Sequence, residues 1–307
     1  MEDVFICAVV VTYNPDVSLL ERQLNVLRRQ VAHIILVDNA SSNEKSLPEL
    51  IGKLWPGNNG GSVTYLKNEE NKGLGSAQNQ GIRKSMTLGA SHVLIMDQDS
   101  IPDDDFISGL LDAGKKIAED NIIIGALGPV YYSESTGEVY PISRYKGPFI
   151  KRIIPSAQPV EATFLISSGC LIPMRVFDEV GLMNEGLFID YIDIEWSFRA
   201  LGKGFKLFAC PGARMKHSIG DNRTSVIGRG VSVHSPLRRY YLCRNSMYML
   251  GSRHIPLGYK MREISLSTLR VIVFAFLSRE KVKYFKYCMA GFYDGIRGKD
   301  GRCTYEF

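Results

Sequence analysis

Two aspartates separated by one residue, Asp97 and Asp99, directly follow the apolar run 93–96. Carboxylate oxygens are the ligands that hard divalent cations such as Mg²⁺ and Mn²⁺ prefer. Two of them can hold such a cation together with the diphosphate that it neutralises. Aspartates with this spacing also occur in solvated turns, and the nearby segment 103–105 repeats the pattern. The position of Asp97 and Asp99 at the end of an apolar run favours a metal and diphosphate site.

A second acidic segment contains Asp190, Asp193 and Glu195, close to the start of a short predicted helix. Asp190 and Asp193 share a helical face because they are three residues apart, whereas Glu195 points elsewhere. An ionised carboxylate that is aimed at a hydroxyl group can act as a general base. An aspartate at a helix start can also cap the helix. The spacing leaves both aspartates open for either role.

Three further polar groups could contact a ligand. Asp38 ends the apolar run 33–37, and its carboxylate could accept a hydrogen bond from a base or a ribose, or form a turn with its own backbone. The glycines of segment 71–75 would let the backbone approach a phosphate at a helix start, although a plain turn has the same composition. His217 closes a short strand, and is either a metal or phosphate contact or a structural histidine.

The elements that must position these groups are predicted by two alternating periods. Apolar runs typical of buried strands alternate with segments whose apolar residues recur at helical spacing. The runs are 4–11, 33–37, 63–66, 92–96 and 122–127. Such alternation predicts a parallel sheet with helices on both faces, and ligands bind such sheets outside the carboxyl ends of the strands. The polar groups 12–14, 38–39 and 97–99 all lie at those ends.

This alternation stops after residue 130. Residues 131–160 are rich in Tyr, Pro and Gly and are predicted to form loops or hairpins. Residues 190–201 fit a short helix, and 205–209 and 214–217 fit two short strands. The pattern beyond residue 235 is helical.

The last quarter of the chain is basic. Residues 238–307 carry 14 Lys or Arg and five Asp or Glu, a net charge of +9, whereas residues 1–237 carry 23 and 27, a net charge of −4. Apolar residues such as Val282, Phe285 and Met289 recur there at helical spacing. We therefore expect this region to meet an anionic membrane surface, with a homodimer contact as the alternative. No nucleic-acid motif is present, and nucleic acid is not an expected partner.

The cysteines and the N-terminus indicate the compartment. The six cysteines form no CxxC pair, which argues against a disulfide scaffold. The N-terminal segment lacks the basic region and cleavage site of a signal peptide. The apolar run 271–277 is far shorter than the roughly 20 residues that span a bilayer. The expected location is cytoplasmic, on the inner face of the cell membrane.

In this order, several segments resemble glycosyltransferase family 2, the inverting nucleotide-sugar enzymes of GT-A fold. The matching segments are VVVTYNP (9–15), VDNAS (37–41), NKGLGSAQNQGI (71–82), LIMDQD (94–99), SSGCLI (167–172), FIDYIDIEWSFRA (188–200) and KHSIG (216–220). The segment FIDYIDIEW and the later RRYYLCRN (238–245) are most similar to bacterial rhamnosyltransferases of O-antigen and other surface-polysaccharide assembly.

The resemblance implies a fold and a domain division. The fold would be α/β, a Rossmann-like mixed sheet flanked by helices, with a helical C-terminal extension. A catalytic domain would cover 1–234, with a nucleotide-sugar-binding half at 1–130 and an acceptor-side half at 131–234. The basic helical region would cover 235–307.

The resemblance also implies a role for individual residues. The nucleotide sugar would contact Thr12, Tyr13, Asn14, Asp38, Asn71, Gly73, Asp97 and Arg244. A divalent cation, Mg²⁺ or Mn²⁺, would bind Asp97, Asp99 and His217. Alignment on Arg199 makes Asp193 the catalytic base. Ile192 replaces the Glu that many members carry before this Asp, and this departure keeps Asp190 as the alternative base.

The implied activity is transfer of L-rhamnose from dTDP-rhamnose to a polyprenyl-diphosphate-linked saccharide, with inversion at the anomeric carbon. A UDP- or GDP-sugar donor is the first alternative. An aspartate-nucleophile phosphatase is a weaker alternative, because its DxD pair normally ends the first strand and here the pair ends the fourth. A non-catalytic nucleotide-sugar-binding protein is disfavoured by the presence of Asp97, Asp99, Asp193 and His217 together.

Overall fold

The computed structural model describes residues 4–43, 45–57, 62–134, 136–217, 223–226, 229–232, 235–277 and 280–307. The strands are β1 (Ile6–Thr12), β2 (His33–Asp38), β3 (Val63–Lys67), β4 (His92–Asp97), β5 (Ser100–Pro102), β6 (Ile124–Tyr132), β7 (Ile142–Lys146), β8 (Phe149–Ile153), β9 (Val160–Ala162), β10 (Cys170–Pro173), β11 (Lys206–His217), β12 (Arg223–Val226) and β13 (Arg229–Ser232). The helices are α1 (Val17–Leu27), α2 (Ser46–Leu54), α3 (Leu74–Thr87), α4 (Phe106–Glu119), α5 (Met174–Val180), α6 (Ile192–Gly202), α7 (Pro236–Gly251), α8 (Leu257–Leu277) and α9 (Lys281–Ile296), with a 3-10 turn at Glu185–Leu187.

A mixed sheet forms the centre of the molecule. Its strand order is β3-β2-β1-β4-β10-β6-β11-β5, and β9 also pairs with β11. Strands β1, β2, β3 and β4 are mutually parallel, and β6 is parallel to β11. Strand β10 runs antiparallel between β4 and β6, so the parallel sheet predicted for the first part of the chain continues as a mixed sheet.

Both faces of the parallel strands are buried, which explains why they appear as continuous apolar runs. Along β1, Cys7 and Val9 pack on one face with residues of α3, α5 and α6, whereas Ala8 and Val10 pack on the other with α1, α2 and α4. Helix α3 lies close to β1 at Gly81, where a Cβ atom would be 2.2 Å from the Cγ1 of Val9. The helices therefore cover both faces of the sheet.

Two sequence predictions of local structure differ from the fold. The segments 205–209 and 214–217, predicted as two strands, belong to one strand, β11. Its register shifts between Cys210 and Arg214, and this irregularity interrupts the strand pattern in the sequence. Strand β5 is not predicted from the sequence, because its three residues are too few to show a period; it pairs at the sheet edge with the end of β11. The predicted hairpin region contains β7 and β8, and the predicted C-terminal helices are present.

Helices α7 and α9 pack together through buried tyrosines, among them Tyr240, Tyr241 and Tyr287, against Phe188 and Ile189 of the preceding part of the chain. Within the residues that the structure describes, we find no helix with the length and apolar character needed to cross a bilayer.

Candidate active site

The sheet brings the predicted polar groups to one edge. Thr12 at the end of β1 pairs with Asp38 at the end of β2, and Val11 pairs with Asp97 at the end of β4. Asp38, Thr12 and Asp97 therefore lie on three adjacent strands at their carboxyl ends. This is the edge at which open α/β sheets bind ligands.

Hydrogen bonds to three other segments fix the turn that carries the aspartate pair. The buried amide of Gln23 in α1 donates to the carbonyls of Asp97 and Ser100, at 2.6 and 2.5 Å. The Asp97 N–H donates to the hydroxyl of Ser168 at 3.1 Å. Gln98 accepts from the N–H of Tyr13 at 2.7 Å and donates to its carbonyl at 3.2 Å. The turn thus has a defined backbone, and Asp99 is exposed at its tip.

The electrostatics of this turn suit a cation. Burial, followed by the charges of Asp99 and Asp193, raises the pKa of Asp97 to about 7, and the nearby guanidinium of Arg238 acts in the opposite direction. The negative charges of Asp97, Asp99 and Asp193 lie near one another, and the single positive charge of Arg238 does not offset their repulsion. Hard carboxylate oxygens are suitable ligands for Mg²⁺ or Mn²⁺, and Mg²⁺ sites commonly use one or two carboxylates plus substrate phosphates.

The described side chains supply only the aspartate part of such a site. Among them, no group of three or more His, Cys, Asp or Glu residues is arranged to hold a metal ion. The backbone of β11 pairs position 217 with Ser100, next to Asp99. The side chain of His217 lies outside the described part of the chain, so its role as a third ligand stays a prediction.

The structure separates the two aspartates that the sequence left open as bases. Asp193 lies in the first turn of α6 and accepts a hydrogen bond from the N–H of Ser167 at 3.3 Å. Burial raises its pKa above the ordinary value. Asp190 instead receives the guanidinium of Arg238, at 2.8 Å from Nη2 and 3.0 Å from Nε. The contacts described for Asp193 include no cationic partner. A cation beside a carboxylate makes it a weaker base, so this difference favours Asp193 over Asp190 as the base.

The turn before Asp193 has an unusual backbone. Phe188, Asp190 and Tyr191 have φ angles of 62°, 64° and 64°. Residues with side chains rarely adopt this conformation, which costs about 1–3 kcal/mol per residue and persists only where surrounding contacts enforce it. Conformations of this kind cluster at functional sites.

The predicted nucleotide contacts differ in their accessibility. Tyr13 is about half exposed, directly after the end of β1. Thr12 is buried, with its hydroxyl 3.4 Å from the carbonyl of Val37. Asp38 is buried and accepts from the N–H and hydroxyl of Ser41, which is the turn that the sequence offered as the alternative. Its other oxygen accepts from Tyr65.

The remaining loops at this edge are joined by amide side chains. The carbonyl oxygen of Asn14 accepts from the N–H and hydroxyl of Ser42, both at 2.8 Å. Asn71 accepts from Asn39 and from the N–H of Gly73, each at 2.9 Å. These contacts order the loops in which the predicted donor-binding residues lie.

Gly73 has a structural reason in addition to any contact with the donor. Its φ angle is 86°, and a Cβ atom at this position would lie 2.7 Å from the ring of Phe188. The next residue, Leu74, donates its N–H to the carbonyl of Phe188 at 2.6 Å. The glycine loop therefore packs directly on the unusual turn before Asp193.

Arg244 is placed differently from the expectation of a donor contact. It is 2% exposed, and its guanidinium donates to the carbonyls of Gly186, Leu187 and Gly301 and to the side chain of Asn245. Through these hydrogen bonds Arg244 connects α7 with the 3-10 turn at Glu185–Leu187 and with the segment that follows α9. The structure therefore supports a structural role for Arg244.

Several side chains next to the site were not singled out by the sequence. Ser167 and Ser168 contact Asp193 and the Asp97 turn, and they lie in a segment that the resemblance had already marked. Gln23 carries no sequence signal, because it meets the turn across 74 residues of chain. Arg238 lies in the basic region and begins the segment 238–245 that carries the resemblance, but neither signal gives it a role at the site.

Comparison with known proteins agrees with this geometry. The family model "Glycosyl transferase family 2" matches residues 7–181. Over 304 residues, covering 98% of each chain, the protein is 33% identical to the dTDP-rhamnosyl transferase RfbF of Shigella flexneri. The structure is similar to that of GalNAc-T7 with UDP, GalNAc and Mn²⁺ (TM-score 0.57, 19% identity, 96% of this chain and 58% of that chain). It is also similar to the mannosyltransferase PcManGT of Pyrobaculum calidifontis with GDP-Man and Mn²⁺ (TM-score 0.57, 13% identity, 96% and 88%).

The chain therefore belongs to glycosyl transferase family 2 and is a glycosyltransferase. The predicted fold is confirmed, because the mixed sheet with its flanking helices matches glycosyltransferases of GT-A fold along almost the whole chain.

Proposed function

We propose that this protein transfers L-rhamnose from dTDP-rhamnose to a polyprenyl-diphosphate-linked saccharide in surface-polysaccharide assembly, with inversion at the anomeric carbon. The observation that carries the proposal is the meeting of Asp97, Asp99 and Asp193 at the carboxyl edge of the sheet. The choice of donor is supported by the similarity over 98% of the chain to a dTDP-rhamnosyl transferase.

Asp97 and Asp99 would hold a divalent cation, Mg²⁺ or Mn²⁺, with His217 as the proposed third ligand. When bound, the cation supplies positive charge that stabilises the nucleoside diphosphate as it leaves. The relatives of similar fold that contain Mn²⁺ support this choice of metal.

Asp193 would act as the general base. Its carboxylate accepts the proton of the acceptor hydroxyl, whose oxygen forms a bond with the anomeric carbon. The bond between that carbon and the diphosphate oxygen breaks, and the nucleoside diphosphate leaves with the electron pair. Attack from the side opposite the leaving group inverts the configuration. Tyr13 and the 71–73 loop would orient the nucleotide at the same edge.

A donor screen tests the assignment. The purified chain is incubated with a lipid-diphosphate saccharide and dTDP-rhamnose, UDP-sugars or GDP-sugars, with Mn²⁺, with Mg²⁺ or with EDTA. We expect metal-dependent transfer from dTDP-rhamnose. The anomeric configuration of the product should be opposite to that of the donor. Faster transfer from a UDP- or GDP-sugar would refute the donor, and full activity in EDTA would refute the metal.

The C-terminal helical region is our candidate for attachment to the inner face of the cell membrane. One side of α9 exposes a stripe of apolar side chains at helical spacing, each 47–77% accessible. They are Val282, Phe285, Met289, Tyr293 and Ile296. Lys281 and Lys286 are exposed beside this stripe, and Lys283 is half-buried. Apolar side chains flanked by lysines are suited to an anionic bilayer surface.

Liposome flotation tests this attachment. Each Lys near an anionic surface contributes about 1 kcal/mol, so replacing Lys281, Lys283 and Lys286 by Gln should weaken binding by roughly 100-fold. The matched control removes three exposed lysines elsewhere, Lys115, Lys116 and Lys203, and should float like the wild type. Equal flotation of both variants, or none by the wild type, would refute the assignment. In the second case, a concentration-dependent dimer would identify the stripe as a contact between copies.

A further inference from the structure

The turn before Asp193 is held by a buried amide from the C-terminal helices. Asn245 of α7 is fully buried, and its Nδ2 donates to the carbonyls of Leu187, Ile189 and Asp190, at 3.0, 2.8 and 3.1 Å. Its Oδ1 accepts from Nε and Nη2 of Arg244, at 3.0 and 2.8 Å. The guanidinium cannot accept a hydrogen bond, and the carbonyls cannot donate one. The amide orientation is therefore fixed by its partners.

Other side chains of the same helices contact this turn. The ring of Phe188 stacks on that of Tyr241, with centroids 5.0 Å apart and planes 7° from parallel. The hydroxyl of Tyr191 donates to the buried carboxylate of Glu263 in α8. The three left-handed residues of the turn are thus enclosed by partners that follow residue 235. A backbone conformation that residues with side chains rarely adopt persists only where its surroundings enforce it.

We propose that Asn245 is a positioning residue for the catalytic carboxylate of Asp193, an inference that rests on the proposed role of Asp193 as the base. By holding three carbonyls of the turn, Asn245 fixes the point at which α6 begins. Asp193 is the second residue of that helix, so its carboxylate is held against the N–H of Ser167 and aimed from there. The C-terminal helices, which lie beyond the region 7–181 matched by the family model, thereby complete the active site.

The test is a double-mutant cycle in the full-length chain. Asn245→Ala removes the amide, and Asn245→Ser keeps one hydrogen-bond donor in a smaller side chain. Ser246→Ala is the matched control, because Ser246 is equally buried on the same helix but its hydroxyl donates within that helix, to the carbonyl of Cys243. Each change is made in the wild type and in Asp193→Asn. The measurements are kcat and KM for transfer, the Kd of dTDP with Mn²⁺, and thermal unfolding.

We expect both Asn245 variants to fold and to lower kcat at least tenfold, with the Kd of dTDP changed less than threefold and Ser246→Ala close to wild type. In the Asp193→Asn background, Asn245→Ala should lower the residual rate less than twofold, because the group that it positions has already lost its basicity. Residues that act through one another are non-additive in this way, whereas independent ones are additive.

Three results would overturn the inference. They are an unchanged kcat in Asn245→Ala, an equal loss in both backgrounds, and failure of both Asn245 variants to fold, which would mean that the amide serves the fold alone. A fourth result, wild-type activity in Asp193→Asn itself, would instead refute the assignment of the base in the proposed function.

Discussion

Replacement of Asp193 by asparagine is the most direct test of the mechanism. Asp193 accepts the N–H of Ser167 at 3.3 Å, and asparagine keeps an oxygen that can accept it, so the change removes basicity with little change in shape. General base catalysis contributes about 10²–10⁴-fold. We expect kcat to fall at least about 100-fold, equivalent to about 2.7 kcal/mol in the activation free energy. Binding of dTDP with Mn²⁺ should change less than about threefold, because Asp193 is not one of the proposed metal ligands and its charge ranks below burial and Asp99 among the causes that raise the pKa of Asp97.

The matched control is Asp190→Asn. Asp190 binds the guanidinium of Arg238, and the two side chains are 15% and 44% exposed, so the pair is partly screened by solvent. Asparagine keeps an oxygen that can accept a hydrogen bond from this guanidinium. We therefore expect its activity to change less than about fivefold. Initial rates and isothermal titration of dTDP measure both variants. An inactive Asp190→Asn beside an active Asp193→Asn would transfer the base to Asp190, and full activity of both would refute a carboxylate base at this turn.

The same structure predicts the pH dependence of the wild-type rate. A base must be ionised, so activity is present above the pKa of Asp193 and is lost as the pH falls through it. Because burial raises that pKa, the acid limb of kcat should lie above the ordinary aspartate value of 3.8. An acid limb at or below 3.8 would contradict the burial argument.

Further predictions concern the metal turn and the fold. Asp99→Ala should remove the Mn²⁺ dependence of dTDP binding. It should also raise the activation free energy of transfer by several kcal/mol, which lowers the rate about 100-fold or more. Unchanged metal dependence of dTDP binding in calorimetry would contradict this prediction. Gly81→Ala should lower the free energy of unfolding by about 1–3 kcal/mol, because its Cβ would overlap the side chain of Val9. Gly52→Ala in open space should instead raise it by up to about 1 kcal/mol, and urea unfolding measures both. Burial lowers the pKa of His92, so wild-type stability should fall as the pH drops through 6.5, and His92→Gln should lose less stability between pH 7 and pH 5.

The carboxyl-edge part of the site could be predicted from the sequence because it depends on local patterns. A buried parallel strand appears as a continuous apolar run, so the residue that follows the run marks a strand end. Asp38 and Asp97 were placed in this way, and the register of β1 with its two neighbours brings them to one edge. The order of strands in the sheet was not needed for this step, because the carboxyl ends of parallel strands share an edge.

The contacts across the chain could not be predicted in the same way. Arg244 was assigned to the donor because it is a cation in a segment resembling the family, but its guanidinium is used by backbone carbonyls 57 and 58 residues away. The amide of Gln23 meets the Asp97 turn only after α1 has packed on the sheet. Neither contact changes the periodicity or composition of the segment in which it lies, so neither leaves a local signal.

The division of charge along the chain also has a structural counterpart. The first part carries a net charge of −4 and supplies the crowded carboxylates of Asp97, Asp99 and Asp193, while the basic last part supplies Arg238, whose charge opposes the rise in the pKa of Asp97. The two parts meet at Asp190, which Arg238 binds from the first turns of α7. The proposed active site therefore includes side chains on both sides of the predicted domain boundary at residue 234. We propose that the helices beyond this boundary are part of the catalytic unit, whatever surface their exposed side contacts.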